Sequence, residues 1–111
     1  MRDTDFSVVS ELAENLSGVV HAVSSRGESL KVRGKLMACQ AINKSAEPHS
    51  IMVRVSKTER KRLIASAPGT YYVTAHYEDY PAVLVRLSAV SRRDLKQLLK
   101  ASWQFVLEKS Q

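Results

Sequence analysis

The sequence predicts an α+β fold, an antiparallel β-sheet with N- and C-terminal helices packed on one face and a short inserted helix. Three observations support it. Apolar residues recur at helical spacing near both ends, short β-rich runs fill the middle, and a helix-capping sequence interrupts those runs. Because 111 residues are enough for one domain with a core and too few for two, we expect a single domain spanning 1–111.

The first helix is indicated by TDFSVVSELAENLSG, where apolar residues recur every three or four positions and Gly18 follows as a helix stop. The pattern then changes to the β-rich runs VVHAV, SLKVR, LMACQAI and IMVRV. Turn residues, among them Gly27 and Gly34, separate these runs. This stretch therefore predicts antiparallel strands.

The inserted helix is predicted to begin after Ser56, because Ser56 and Glu59 have the spacing of a capping box. It runs to about Ala65, and Pro68 then helps to end it. The runs TYYVTAHY and AVLVRL are predicted to pair as a hairpin. The final helix begins at Ser91 and carries an inward stripe formed by Leu95, Leu98, Leu99, Ser102 and Val106.

The segment TYYVTAHYEDY contains all four tyrosines of the chain. If it is a regular strand, alternation places Tyr72, Thr74 and His76 on one face and Tyr71, Val73, Ala75 and Tyr77 on the opposite, inward face. We therefore expect a core shared by the sheet and the last helix, made of Tyr71, Val73, Tyr77, Leu84, Leu95, Leu98, Leu99 and Val106. The opposite face of the sheet is expected to remain partly open to solvent.

Positive charge is concentrated in the middle of the chain. The formal net charge is +6, yet residues 1–28 carry five acids and two bases. Residues 29–62 carry nine bases and only two acids, a net of +7. This uneven distribution predicts a basic surface suited to an acidic partner.

Cysteine and histidine are used sparingly. The single Cys39 excludes an intrachain disulfide and leaves no CxxC pair, and its position in an apolar run predicts a core residue. The histidines at 21, 49 and 76 do not have metal-ligand spacing. The acidic residues near the first helix are few and dispersed. We therefore expect neither a metal nor another cofactor.

Sequence motifs that indicate catalysis or membrane insertion are absent. The chain lacks a glycine-rich phosphate loop, HExxH and GxSxG, so we do not expect an enzyme. It also lacks a run of about 18 apolar residues and an N-terminal signal pattern. The expected location is the cytoplasm, with no membrane partner.

Three stretches together resemble the MmcQ/YjbR family: LKVRGKLMA, SKTERKRLIASAPGTYYVTAHYEDYPAVLVRL and DLKQLLKASWQFV. The resemblance covers roughly residues 19–106. It implies a frataxin-like (CyaY-like) sandwich and a bacterial protein that binds DNA through two wing-like hairpins. Leu30 and Ala75 depart from the residues that many members have at these positions.

Two groups of cations are candidates for binding phosphate. Lys31, Arg33 and Lys35 surround a glycine that permits a tight hairpin tip, so they form a candidate wing. The inserted helix adds a second group with a shared helical face, formed by Lys57, Arg60 and Lys61. An ordinary solvated face is the competing interpretation of both groups.

Tyr72 and His76 are candidates for stacking on a base and hydrogen-bonding to it, although plain sheet packing is the favoured interpretation of the tyrosines. The sequence therefore leaves two hypotheses. The first is a non-catalytic domain that binds DNA or another nucleic acid through the basic hairpin and inserted helix. The alternative is a protein- or small-molecule-binding domain whose basic charge is incidental. The acidic pair Glu78 and Asp79 weighs against the first, because it would repel phosphate.

Overall fold

A computed structural model describes residues 5–25 and 27–109 of the protein. In these residues the helices are α1 Phe6–Ala13, α2 Lys57–Ser66 and α3 Arg92–Lys109, with one 3₁₀ turn at Ala75–Tyr77. The strands are β1 Val19–Ser24, β2 Gly27–Val32, β3 Lys35–Gln40, β4 Ser50–Arg54, β5 Tyr71–Tyr72 and β6 Ala82–Arg86. They form one antiparallel sheet in the order β1-β2-β3-β4-β6-β5. The predicted α+β architecture is confirmed.

Side-chain caps explain where the helices begin. Ser56 Oγ accepts the backbone N–H of Glu59 at 3.1 Å at the start of α2, as the capping-box spacing predicted. Ser91 Oγ accepts the N–H of Asp94 at 3.0 Å in the same way at the start of α3. Both caps satisfy backbone donors that have no partner inside their helix.

The main core lies between one face of the sheet and the helices, and we call this the helix face. It contains Phe6 and Val9 of α1 together with Leu95, Leu98 and Leu99 of α3. Inward residues of β2, β3, β4 and β6 complete it. The prediction that both terminal helices cover the same face is therefore confirmed.

The predicted strand TYYVTAHY is wrong beyond its first residues. Only Tyr71 and Tyr72 pair with β6; the chain then leaves the sheet and forms the 3₁₀ turn. As a result Tyr71 lies in the main core, but Tyr77 packs on the opposite side of the sheet, with Leu84. Val73 is only half-buried. Five of the eight expected core residues are confirmed in the main core: Tyr71, Leu95, Leu98, Leu99 and Val106.

The second face of the sheet is covered in part by loops, and we call it the loop face. Met52, Ala82 and Leu84 are buried there, and Tyr72 and Tyr77 pack against them. The loop 41–49 and the segment 73–81 meet over this face, where Ser45 Oγ and Thr74 Oγ1 are 2.8 Å apart. Tyrosine side chains therefore extend the apolar layer, and the sheet is less open than the sequence predicted.

Strand register brings several distant segments to one end of the sheet. Ala38 pairs with Val53, so the beginning of β3 and the end of β4 lie at the same end. Arg54 pairs with Ala82, which places the loop 78–81 there as well. We call this the Arg33 end; it comprises the turn Arg33–Gly34, the start of α2 and the loop 78–81.

Candidate binding surface

The β2–β3 hairpin presents its cations on a tight turn. Arg33 and Gly34 both have left-handed backbones, with φ of 54° and 76°, as a two-residue turn between twisted strands requires. Lys31, Arg33 and Lys35 are all exposed. Lys31 pairs with Leu36 on the loop face, whereas Lys35 pairs with Val32, which is buried on the helix face. The two lysines therefore project from opposite faces of the hairpin.

Arg60 is buried, so the prediction that it shares an accessible helical face with Lys57 and Lys61 is wrong. Lys57 and Lys61 are exposed, but Arg60 retains only 9% of its surface. Its guanidinium donates to the carbonyls of Tyr80 and Glu78 at 3.0 Å each. It also donates to the backbone carbonyls of Ala82 at 3.2 Å and of Tyr77 at 3.5 Å. Arg60 therefore holds the loop before β6 in place and is not available as a phosphate contact.

The ring of Tyr72 is also occupied by the protein itself. The guanidinium carbon of Arg86 lies 4.3 Å from the ring centroid. The Tyr72 hydroxyl accepts the backbone N–H of Glu47 at 2.8 Å and shares a 2.6 Å hydrogen bond with Ser50 Oγ. Tyr72 thus fastens the loop 41–49 to the sheet, and the face of its ring on the Arg86 side is covered.

Arg86 also attaches the loop 41–49 to the sheet, by binding Glu47. Its Nε and Nη2 donate to the two carboxylate oxygens of Glu47, at 2.8 and 2.6 Å. These hydrogen bonds hold the pKa of the Glu47 carboxyl below its usual value. The loop and β6 are therefore joined by a bidentate pair beside the tyrosine ring.

His76 lies in a groove on the loop face, apart from the Tyr72 ring. The groove has a volume of about 640 Å³ and is lined by Ser29, Leu36, Cys39, Asn43, Lys44, His76 and Tyr77, among others. The His76 ring meets the Tyr77 ring edge-on, with centroids 4.8 Å apart. Cys39 is half-buried, and burial raises the pKa of its thiol. The groove combines an apolar floor with an imidazole and an ammonium group at its rim.

Ion pairing separates the bases of the chain into two groups. Within the described residues, four arginines have a carboxylate partner: Arg62 with Glu59, Arg86 with Glu47, Arg92 with Glu11 and Arg93 with Asp94. In contrast, the exposed cations of the hairpin and of the start of α2 form no ion pair with any residue in 5–25 or 27–109. Their charge is therefore not neutralised within the described part of the chain.

Two cations that the sequence analysis missed are Lys44 and Arg54. Lys44 follows a strand in a loop and has no neighbouring cation in sequence, so no charge pattern identified it. The Arg54 guanidinium lies near the rings of Tyr80 and Phe105, which are far from it in sequence. Only folding brings the side chains of Arg54, Tyr80 and Phe105 together.

The described residues show neither a metal-binding cluster nor a membrane-spanning helix. Within residues 5–25 and 27–109, no three His, Cys, Asp or Glu side chains are grouped in a way that could hold a metal ion. Nor does any helix in this part of the chain have the length and apolar character needed to cross a membrane.

Comparison with known protein families gives a match to the YjbR family model over residues 14–105. The chain belongs to the YjbR family. Uncharacterized protein Rv2570 of Mycobacterium tuberculosis and uncharacterized protein Mb2600 of Mycobacterium bovis are each 47% identical to it over 62 residues. That stretch is 52% of this chain and 48% of each relative, so the match spans about half the length of these proteins.

A solved structure shows the same fold. It is the crystal structure of Deinococcus radiodurans protein DR2400, with family-model domain DUF419, which superposes with a TM-score of 0.77. The match covers 96% of this chain and 81% of that one at 18% sequence identity. The two proteins therefore share the fold at low sequence identity.

Proposed function

We propose that this YjbR-family domain is a non-catalytic module that binds the phosphate backbone of nucleic acid, DNA in the first place, at the Arg33 end of the sheet. The observation that carries the proposal is the strand register. It brings the cationic hairpin tip and the start of α2 to the same end, although Arg33 and Lys57 are 24 positions apart in sequence.

Charge at this end supports the proposal. Lys31, Arg33, Lys35, Lys57 and Lys61 are exposed and unpaired within the described residues. Unpaired cations on one end of a small domain attract a polyanion and release its counterions on contact.

The acidic loop at the same end limits where contacts form. Glu78 and Asp79 are exposed there and repel phosphate. Arg60 holds the loop through its carbonyls and so fixes the position of these acids. We therefore expect phosphate contacts on the hairpin and on Lys57 and Lys61.

The chemistry of the groove favours binding over catalysis. The raised pKa of the Cys39 thiol makes it a poor nucleophile at neutral pH. His76 contacts the Tyr77 ring, but no carboxylate among the described residues pairs with it to orient the imidazole for proton transfer.

A salt-dependent DNA titration tests the proposal. Log affinity for duplex DNA should fall linearly with log salt, with a slope of about −0.9 for each phosphate contact. Replacing Arg33 and Lys35 together by alanine should make that slope shallower by about two units, because two contacts are lost. Fluorescence anisotropy of a labelled duplex measures both quantities.

The matched control removes the same charge from another surface. Lys96 and Lys100 are exposed on α3, so replacing both by alanine changes net charge equally but should leave the slope unchanged. Equal effects of the two double variants would mean that only net charge matters. Absence of any binding at about 50 mM salt, where screening is weak, would reject the nucleic-acid proposal. The groove beside His76 would then favour the alternative, a small-molecule or protein partner.

A further inference from the structure

The guanidinium of Arg54 lies near two aromatic rings at the Arg33 end. It is the last residue of β4, and its guanidinium carbon lies 5.1 Å from the ring centroid of Tyr80 and 5.6 Å from that of Phe105. Tyr80 belongs to the loop before β6 and Phe105 to α3. Three segments therefore fix the position of one cation.

The nitrogen atoms of this guanidinium lack acceptors in the described chain. Nε is shielded from solvent and has no hydrogen-bond partner among residues 5–25 and 27–109. The two terminal nitrogens are not shielded in this way, and no carboxylate of these residues lies within ion-pair distance of them. A charged donor that is desolvated without an acceptor is costly, and the two rings offset only part of that cost.

This arrangement contrasts with that of the other partly or fully buried arginines. Arg60 donates to four backbone carbonyls, and Arg86 forms a bidentate pair with Glu47. Both have structural partners that account for their positions. Arg54 has two neighbouring rings but no oxygen acceptor among the described residues, so its two unshielded terminal nitrogens are free to donate to an external oxyanion.

We propose that Arg54 is a phosphate-binding residue, whose two terminal guanidinium nitrogens donate to two oxygens of one phosphate group. The assignment of that phosphate to a nucleic-acid backbone rests on the proposed function above. A guanidinium forms two parallel hydrogen bonds to a phosphate, and an ammonium cannot reproduce this geometry. Lys57, exposed in the first turn of α2, adds a second positive charge at the same end.

Side-chain NMR of the wild-type protein tests the site without nucleic acid. The Arg54 Nε–H resonance, assigned from its loss in Arg54→Lys, is followed during titration with inorganic phosphate, with sodium chloride at matched ionic strength as the control. We expect a saturable shift with phosphate only. Arg93, which is exposed and lies 3.7 Å from the Asp94 carboxylate, serves as the internal reference. An Arg54 response no larger than that of Arg93, or no larger than with chloride, would overturn the proposal.

A conservative variant tests the role of the two parallel guanidinium hydrogen bonds in nucleic-acid binding. Arg54→Lys keeps the charge, so the salt slope for duplex DNA should stay the same while affinity falls about tenfold through loss of the bidentate contact. Arg93→Lys should bind like the wild type. Thermal melting of both variants identifies any loss of folding, and the wild-type phosphate titration is independent of it.

The two experiments separate the two proposals. If phosphate shifts Arg54 but DNA does not bind, the proposed function fails and Arg54 recognises phosphate on another ligand. If DNA binds with a steep salt dependence while the Arg54 resonance stays unchanged and Arg54→Lys has wild-type affinity, the assignment of Arg54 fails and the proposed function stands.

Discussion

The layers that cover the two faces of the sheet are held in place by different kinds of interaction. On the helix face, α1 and α3 bury aliphatic side chains such as Val9, Leu95 and Leu99 with no exposed surface. On the loop face, the buried apolar cluster is small, and polar contacts made by Arg60, Tyr72 and Arg86 hold the covering loops.

This difference predicts a difference in cooperativity. Apolar burial spread over many residues is lost only when the domain unfolds. A loop held by a few hydrogen bonds can open locally, because breaking one side-chain anchor releases one segment. The helix face therefore sets global stability, whereas the loop face sets the shape of the groove and of the Arg33 end.

The largest expected effect is on the helix face. Replacing the buried Leu98 by alanine should lower the free energy of unfolding by about 2–5 kcal/mol, because it removes buried methyl groups and leaves a cavity. Denaturant unfolding measures this change. Val23→Ala on the exposed edge strand is the control, with an expected change below about 0.5 kcal/mol. A similarly small value for Leu98→Ala would contradict the packing of α3.

A smaller and more local effect is expected from Arg60→Gln. Loss of the charged donors to the carbonyls of Glu78, Tyr80 and Ala82 should cost roughly 1.5–3 kcal/mol locally. Amide hydrogen exchange should accelerate in 77–82 and stay unchanged in α3. Uniform acceleration throughout the chain would show that the loop and the helix face unfold together, which would break the distinction between the faces.

The smallest effect is expected from Tyr72→Phe, which removes only the hydroxyl. Its hydrogen bonds to Ser50 and to the Glu47 N–H should be worth about 0.5–1.5 kcal/mol, while the ring keeps its contact with Arg86. Exchange of the Glu47 amide should accelerate most. If Tyr72→Phe weakened single-stranded DNA binding while leaving that amide protected, the hydroxyl would be a ligand contact instead of a loop anchor.

Sequence patterns predicted the helix face well because that face follows regular periods. Leu95, Leu98, Leu99 and Val106 are spaced so that one side of a helix is apolar, and this spacing alone identifies them as core. The starts of α2 and α3 followed from short capping motifs for the same reason: the determinants are local in sequence.

The loop face could not be predicted because its determinants are contacts between distant residues. Tyrosine favours strands, so TYYVTAHY looked like one, but the hydroxyl of Tyr72 bonds residues more than 20 positions away and Ala75 begins a 3₁₀ turn. Arg60 occupies a position that helical spacing alone would place beside Lys57 and Lys61, yet four carbonyls draw its side chain inward. No sequence period reports such contacts.

The turn Arg33–Gly34 has a consequence for the thermodynamics of association. Both of its residues are held in the left-handed region and paired strands enter and leave it directly, so the backbone of the tip has little freedom to lose. A partner that docks there would restrict side-chain rotamers without having to order a loop. The tip is preorganised, and changes in its affinity should arise mainly from the chemistry of the side chains that it carries.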